Sequence, residues 1–133
     1  MNNYLLGELV TRMRVASRQH LKSIKMTKSK FILEILGLLH KEGFIRGFIV
    51  LRNEDSILIY LKYNKNKPCY YDIYLISKPG KRVYWSLNLM SLNYSANTFG
   101  GFYVVSTSRG LLTSTDCLLH QNISGEVLLK VKV

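Results

Sequence analysis

Acidic side chains are scarce in this chain. Eight Asp and Glu stand against nineteen Lys and Arg, a formal net charge of +11 at pH 7 on 133 residues. None of the acids forms a spaced pair of the kind that acid–base or metal chemistry uses, which places catalysis low among the readings. Cysteines are few as well. Cys69 and Cys117 lie far apart and in no CxxC or His-paired pattern, so they read as reduced thiols of an intracellular compartment rather than a disulfide framework. Long apolar runs are missing: the best, FILEILGLL, carries Glu34 and falls short of the roughly 18 to 20 residues a spanning helix needs. The opening MNNYLLGELVTRMR lacks the charged-then-apolar plan of a signal peptide. The expectation is a soluble protein, made where it works or stripped of a leader before this numbering begins.

What is present is enough apolar material for a core, 47% of residues, and a strongly basic balance. The length suits one ordinary domain or two small ones. The charge predicts attraction to a polyanion, either nucleic acid or an anionic membrane surface. It is also clustered: Arg12, Arg14, Arg18, Lys22, Lys25, Lys28 and Lys30 follow one another with no acid between them. A solvated helix face usually mixes signs, so this clustering favours a phosphate-facing surface over a merely basic one.

The spacing Leu5/Leu6, Leu9/Val10, Met13, Ala16 predicts a first helix with Arg12 and Arg14 off its apolar stripe. After a basic connector, Ser29 stands at the cap position of a second helix. Its buried side is Phe31, Ile32, Ile35, Leu36 and Leu39, with Lys41 in the last turn and Gly43 just past it. The period then changes to two. FIRGFIVL, SILIYLKY and CYYDIYLIS are β-rich runs separated by Asn53-Glu54-Asp55 and by residues 64–68. Pro79-Gly80 marks a turn, Ser86 to Asn97 reads as irregular with a short helix, and Gly100-Gly101 opens a strand from Phe102 to Ser106. Thr113 and Asp116 resemble a capping box ahead of a two-turn helix from Ser114 to about His120, closed by Asn122. The closing EVLLKVKV reads as a half-buried strand with a basic outer face.

Helices followed by strands, without strict alternation, argue for an α+β fold. The expected organisation is two small domains. Residues 1–66 would hold two helices packed on a three-stranded sheet, and residues 67–133 a mostly antiparallel β domain with one short helix.

The chemistry concentrates in VVSTSRGLLTSTD, from Val104 to Asp116, where hydroxyls and a cation crowd a Gly-marked corner read as a strand-to-helix turn. STSRG has one glycine and no lysine after it, so the Walker reading fails. A nucleophilic Ser106 or Ser108 needs a GxSxG elbow or a His partner, and neither is visible. Cys117 and His120, three apart, do not make a zinc site. A membrane adaptor needs exposed bulky apolar groups beside a basic helix face, which the first helix meets only in part. Nucleic acid fits better: hydroxyls and amides of a tight turn reach sugars, phosphates and base edges. Tyr84 and Trp85, beside Lys81 and Arg82, set aromatic faces near cations, as unstacked RNA bases require. Core packing competes for both aromatics and is favoured for Trp85.

VVSTSRG followed by Leu-Leu-Thr resembles the VVSTSKGVMT-type signature of the small-subunit ribosomal protein eight family. ELVTRMR (8–14) is similar to that family's DMLTRIR, and SKFILEILGLLHKEGFI (29–45) to its second helix with the KEEGFI ending. LKY (61–63), ISKPGKRVY (76–84) and SGEVLLKV (124–131) resemble its LKY, VSRPGxRIY and GGEIxCxV stretches, all in the family's order. The resemblance implies a structural, non-catalytic component of the small ribosomal subunit, without cofactor, metal or small-molecule substrate. Such a component binds a stem in the central domain of the small-subunit rRNA, chiefly through its C-terminal domain, beside neighbouring ribosomal proteins.

By the same resemblance the hydroxyl-rich loop falls on Ser106, Thr107, Ser108, Arg109 and Gly110, the conserved-pattern tyrosine on Tyr84 and the last-strand glutamate on Glu126. Ser29 and Lys30 supply an N-terminal backbone contact. Arg12, Arg14, Lys81 and Arg82 complete the expected RNA-facing set from charge alone. Glu126 comes from the resemblance only. The chain departs from the pattern at Tyr4-Leu5, at Thr27 and Lys28, at Ser124-Gly125, and by one extra residue after Thr113. The alternative is a basic adaptor binding nucleic acid nonspecifically or an anionic membrane. Strong Asn, Lys, Ile and Tyr usage points to an AT-biased genome and favours a mitochondrial ribosome, with a plastid or a bacterial cytoplasm as the other settings.

Overall fold

The computed structural model describes residues 3–65, 67–68, 70, 72–78, 80–96 and 101–132. The chain divides into two compact units, Met1–Tyr70 and Tyr71–Val133.

In the first unit, α1 (Asn3–Arg18) and α2 (Lys30–Lys41) accompany a sheet of β1 (Ser23–Thr27), β2 (Ile45–Leu51) and β3 (Ser56–Leu61). The order is β1-β3-β2, antiparallel throughout. Helix α1 packs on β1 and α2 on β2. The apolar periods account for this arrangement: Leu6, Leu9, Val10, Met13 and Ala16 of α1 are buried, as are Ile32, Ile35, Leu36 and Leu39 of α2. They meet a sheet whose inward positions are Met26, Ile45, Ile57 and Ile59. Phe31, expected on the buried side of α2, is only half-buried. Helix α2 ends in a Schellman arrangement, the Phe44 N–H bonding Leu39 O at 2.9 Å and the Gly43 N–H bonding His40 O at 3.0 Å.

CYYDIYLIS lies past the boundary expected at residue 66 and serves the second unit, where Asp72–Leu75 forms a strand; Cys69 and Tyr71 lie outside the described residues. The first sheet is completed by Ser23–Thr27, read from sequence as a basic connector. Lys25 and Thr27 point outward around the buried Met26, so a strand of period two is present, but it is too short and too cationic to stand out. A short ribbon, β4 (Tyr63–Asn64) with β5 (Lys67–Pro68), closes the unit. The Tyr63 hydroxyl donates to Leu21 O, just past α1, at 2.5 Å, and the buried Tyr70 hydroxyl donates to Met13 O of α1 at 2.9 Å.

The second unit is built around β10 (Gly125–Lys132). It pairs with β8 (Gly101–Thr107) on one side and with β6 (Asp72–Leu75) and β7 (Tyr84–Trp85) on the other, while β9 (Gly110–Thr113) pairs with β8. All pairings are antiparallel. Being central, β10 is buried along Val127, Leu128, Leu129 and Val131 rather than half-exposed as its alternation predicts. The register shifts between Val127 and Leu129 against β8, so a bulge at Leu128 resets the alternation and buries consecutive residues.

Residues 86–96 are more regular than expected: α3 (Leu87–Ala96) is a helix, its first turn capped by Ser86, whose Oγ accepts the Leu89 N–H at 3.3 Å. Asn97 and Gly100 lie outside the described residues. The helix expected after Thr113 is present as a π-helical turn, Asp116–Gln121, closed by Asn122 at φ 50°. The Thr113 hydroxyl accepts the Asp116 N–H at 3.2 Å, half of the capping box. Met90 of α3, Cys117 of the π turn and Tyr103, Val105 and Val127 of the sheet form one buried cluster, flanked by Trp85.

Candidate nucleic-acid interface

The stretch STSRG does not lead from a strand into a helix. It joins β8 to β9 as a tight hairpin in which Thr107 pairs with Gly110 and Ser108-Arg109 form the tip. Gly110 takes a φ of 104°, a conformation that turns the chain back into β9 and that a side chain disfavours. The hydroxyls divide their work. Thr107 Oγ1 accepts the Arg109 N–H at 3.1 Å and donates to Gly110 O at 2.8 Å, so it holds the turn. Ser108 and Arg109 are exposed at the tip. Ser106 precedes the turn, half-buried.

The register then places three of the expected residues in one row. Glu126 on β10 is opposite Ser106 on β8 and opposite Tyr84 on β7. Directly opposed residues of antiparallel strands share a face, so the Tyr84 phenol, the Glu126 carboxylate and the Ser106 hydroxyl project together. Neighbours along each strand alternate. Trp85, Val127 and Val105 accordingly lie on the reverse face, in the cluster under α3, where Trp85 sits edge-on to Tyr103 with ring centroids 4.8 Å apart. The two adjacent aromatics are thereby assigned opposite roles: Tyr84 is 65% exposed, while Trp85 packs inward.

Two residues that sequence reasoning missed hold this row in place. Ser77, fully buried, donates from Oγ to Val127 O at 2.5 Å and accepts the Val83 N–H at 3.0 Å. It clamps the segment before β7 onto β10, and the paired Lys78 and Lys81 (2.9 and 3.0 Å) close the turn between. Lys81 and Arg82 are thus exposed beside Tyr84. Gly125 is the other: a Cβ there would stand 2.1 Å from Ser106 O and 3.2 Å from Thr107 Cα. Its sequence signal was a glycine at the start of a strand, which marks close backbone approach; Ser77 carried none.

Electrostatically the site is a basic rim around one acid. Glu126 is nearly buried and pairs with Arg82, Nη1 to Oε1 at 3.4 Å. Buried on one side and charge-balanced on the other, the carboxylate is a fixed acceptor inside a cationic edge. Among the described residues no group of His, Cys, Asp or Glu is arranged to hold a metal.

The N-terminal candidates lie on the first unit and divide differently. Ser29 takes the cap position of α2, yet its side chain makes no capping bond. Lys30, the first residue of α2, is exposed. Arg12 is engaged within the fold: it pairs with Glu8 at 2.6 Å and donates to Lys25 O. Arg14 is half-buried. Lys25 pairs with Glu54, so the acid-free run of sequence still acquires counter-charges through folding.

The family profile described as Ribosomal protein S8 matches residues 5–131. The chain belongs to this family. The small ribosomal subunit protein uS8m of Acanthamoeba castellanii is 36% identical over 128 residues, 96% of this chain and 98% of that protein. Small ribosomal subunit proteins uS8 of Zymomonas mobilis and Mesoplasma florum are 35% and 37% identical over 129 residues each, covering 95% and 97% of those proteins. As an S8-family member, the chain is a structural component of the small ribosomal subunit, and its α+β fold is that of the family.

Proposed function

We propose that the chain binds a stem in the central domain of the small-subunit rRNA through the hairpin end of the second unit's sheet. The observation that carries this is the row Tyr84–Glu126–Ser106 beside the exposed Ser108-Arg109 tip. Each member suits a different part of RNA. Tyr84 offers a ring face for a base or sugar. Ser106, Ser108 and the turn amides bond sugar and phosphate oxygens. Glu126 accepts from a base amino group, a contact that carries sequence information. Lys81, Arg82 and Arg109 supply phosphate neutralisation around them. Ser29 and Lys30, whose cap position leaves the serine hydroxyl unused by the helix, add a backbone contact from the first unit. The role is assembly and support without catalysis, beside neighbouring small-subunit proteins.

The membrane alternative loses its main support, since the apolar stripe of α1 is buried in the first unit's core. We assign the protein to a mitochondrial ribosome on its AT-biased residue usage and its likeness to the Acanthamoeba uS8m.

The test is Ser108→Trp. A bulky ring at the exposed tip is expected to lower affinity for the stem at least tenfold and leave the melting temperature within about 2 °C, because Ser108 is exposed. Unchanged stem affinity in a folded Ser108→Trp variant would remove the hairpin tip from the interface.

A further inference from the structure

The first unit carries a further basic concavity, lined by none of the residues assigned to the stem interface. The concavity, of about 550 Å³, is lined by Lys22, Arg46, Tyr60, Leu61, Lys62 and Tyr63. All three strands of the first sheet deliver a cation to it. Lys22 immediately precedes β1 and stays in register, its carbonyl accepting the Leu61 N–H at 2.9 Å. Lys62 immediately follows β3. Arg46 is the extra residue of a bulge in β2, where Ile45 faces Leu61 and Gly47 already faces Tyr60. A bulge re-aims the side chain it carries, and here it turns Arg46 to the end of the sheet where the two lysines converge.

In the first unit Arg12 and Lys25 are each paired with a glutamate. Among the described residues Lys22, Arg46 and Lys62 are exposed and make no ion pair, and no acid lines the concavity. Three unneutralised positive charges at one sheet end repel one another, a cost that an anion removes. The tyrosines narrow the choice of anion. The Tyr63 ring is held in a fixed pose by its hydroxyl bonding Leu21 O and by stacking on His20, centroids 5.6 Å apart and planes 28° apart. Tyr60 stands half-buried beside it. A preset aromatic wall beside convergent cations suits a base with flanking phosphates better than an acidic peptide, which gains nothing from ring faces.

We propose that this concavity binds an unpaired nucleotide of single-stranded RNA, its phosphates on Lys22, Arg46 and Lys62 and its base against Tyr60 and Tyr63. The inference deepens the RNA-binding reading by adding a single-strand contact to the stem contact of the second unit.

The experiment measures fluorescence anisotropy of a labelled hexauridylate with the full-length chain across a salt series, in parallel with the rRNA stem. For Arg46→Gln/Lys62→Gln we expect hexauridylate affinity to fall at least tenfold and the log–log salt slope to flatten by about 1.4, two lost single-strand phosphate contacts. The same variant is expected to retain stem binding, and Ser108→Trp to retain hexauridylate binding. Tyr60→Leu is expected to weaken hexauridylate several-fold with the salt slope unchanged. Wild-type affinity and slope in a folded Arg46→Gln/Lys62→Gln variant would overturn the proposal. So would a glutamate hexapeptide that displaces hexauridylate as well as unlabelled hexauridylate does. A wild-type chain that binds hexauridylate as described yet ignores the stem would refute the stem reading and leave this one standing.

Discussion

Alanine at Gly125 tests how closely β10 approaches the hairpin between β8 and β9. The Cβ would stand 2.1 Å from Ser106 O and 3.0 Å from its carbonyl carbon. A carbon and a carbonyl oxygen settle at about 3.3 Å, so the strands must part by roughly 1 Å. The obstacle is backbone, so no rotamer change relieves it. Parting the strands that far stretches the ladder bonds between β10 and β8 beyond hydrogen-bond length at this end of the sheet. Overpacking of this kind costs about 1 to 3 kcal/mol, and one or two weakened backbone bonds add about 1 kcal/mol each. A total of about 2 to 5 kcal/mol in a unit of this size corresponds to a fall in melting midpoint of roughly 10 to 30 °C. Trp85 is the only tryptophan and is opposite Gly125 in the β7–β10 pairing, so its fluorescence reports this unit alone. Stem affinity is expected to fall as well, because Ser106 and Thr107 are the residues displaced. A Gly125→Ala variant whose Trp85 melting midpoint matched the wild type would show that the two backbones are not so close.

Three further outcomes are expected. Ile35→Ala removes a fully buried side chain from the core of the first unit; it should cost about 2 to 5 kcal/mol by denaturant titration, with Trp85 reporting little of it. Ser77→Ala deprives Val83 N–H and Val127 O of their buried partner, which is expected to cost about 1 to 3 kcal/mol and to speed hydrogen exchange at Val83. Burial, with the Asp116 charge adding to it, raises the Cys117 thiol from its ordinary value near 9 to about 11. The folded state then holds the proton where the unfolded state releases it, so the thiol's contribution is intact below pH 9 and is lost as pH rises towards 11. Denaturation midpoints from pH 8 to 11 should fall less steeply in Cys117→Ala than in the wild type, and parallel curves would contradict this.

The readable and unreadable parts of the sequence separate along physical lines. Helix α2 was legible because Ile32, Ile35, Leu36 and Leu39 repeat at the helical period and Gly43 stops it, two signals that agree. The turn at STSRG was legible from Gly110, but its direction was not: Gly110 turns the chain into a four-residue strand, too short to announce itself against the helix-capping signal at Thr113. Strand β1 was hidden by Lys25 within it and by Lys22 and Lys28 on either side, since alternation over five residues with one buried member is a weak pattern. Helix α3 was obscured because LNLMSLNYSA scatters its apolar residues around the axis, and among its described side chains Met90 is the buried one. The bulge at Leu128 resets the alternation of β10, so a strand that buries consecutive residues reads from spacing as half-buried with a basic face. Tyr84 was legible as an aromatic among cations, whereas Glu126 owes its place to strand register, a long-range fact that spacing along the chain does not encode.

The central claim is that the second unit reads an RNA stem rather than attracting any polyanion. The most direct test titrates the purified chain with a central-domain rRNA stem and with an unrelated duplex of equal length, each over a range of salt. The account predicts stem binding that persists at salt concentrations where the unrelated duplex has dissociated, because base and sugar contacts from Tyr84, Glu126 and Ser108 add affinity that counterion release does not supply. Equal affinities that vanish together as salt rises would contradict it and leave only a basic surface.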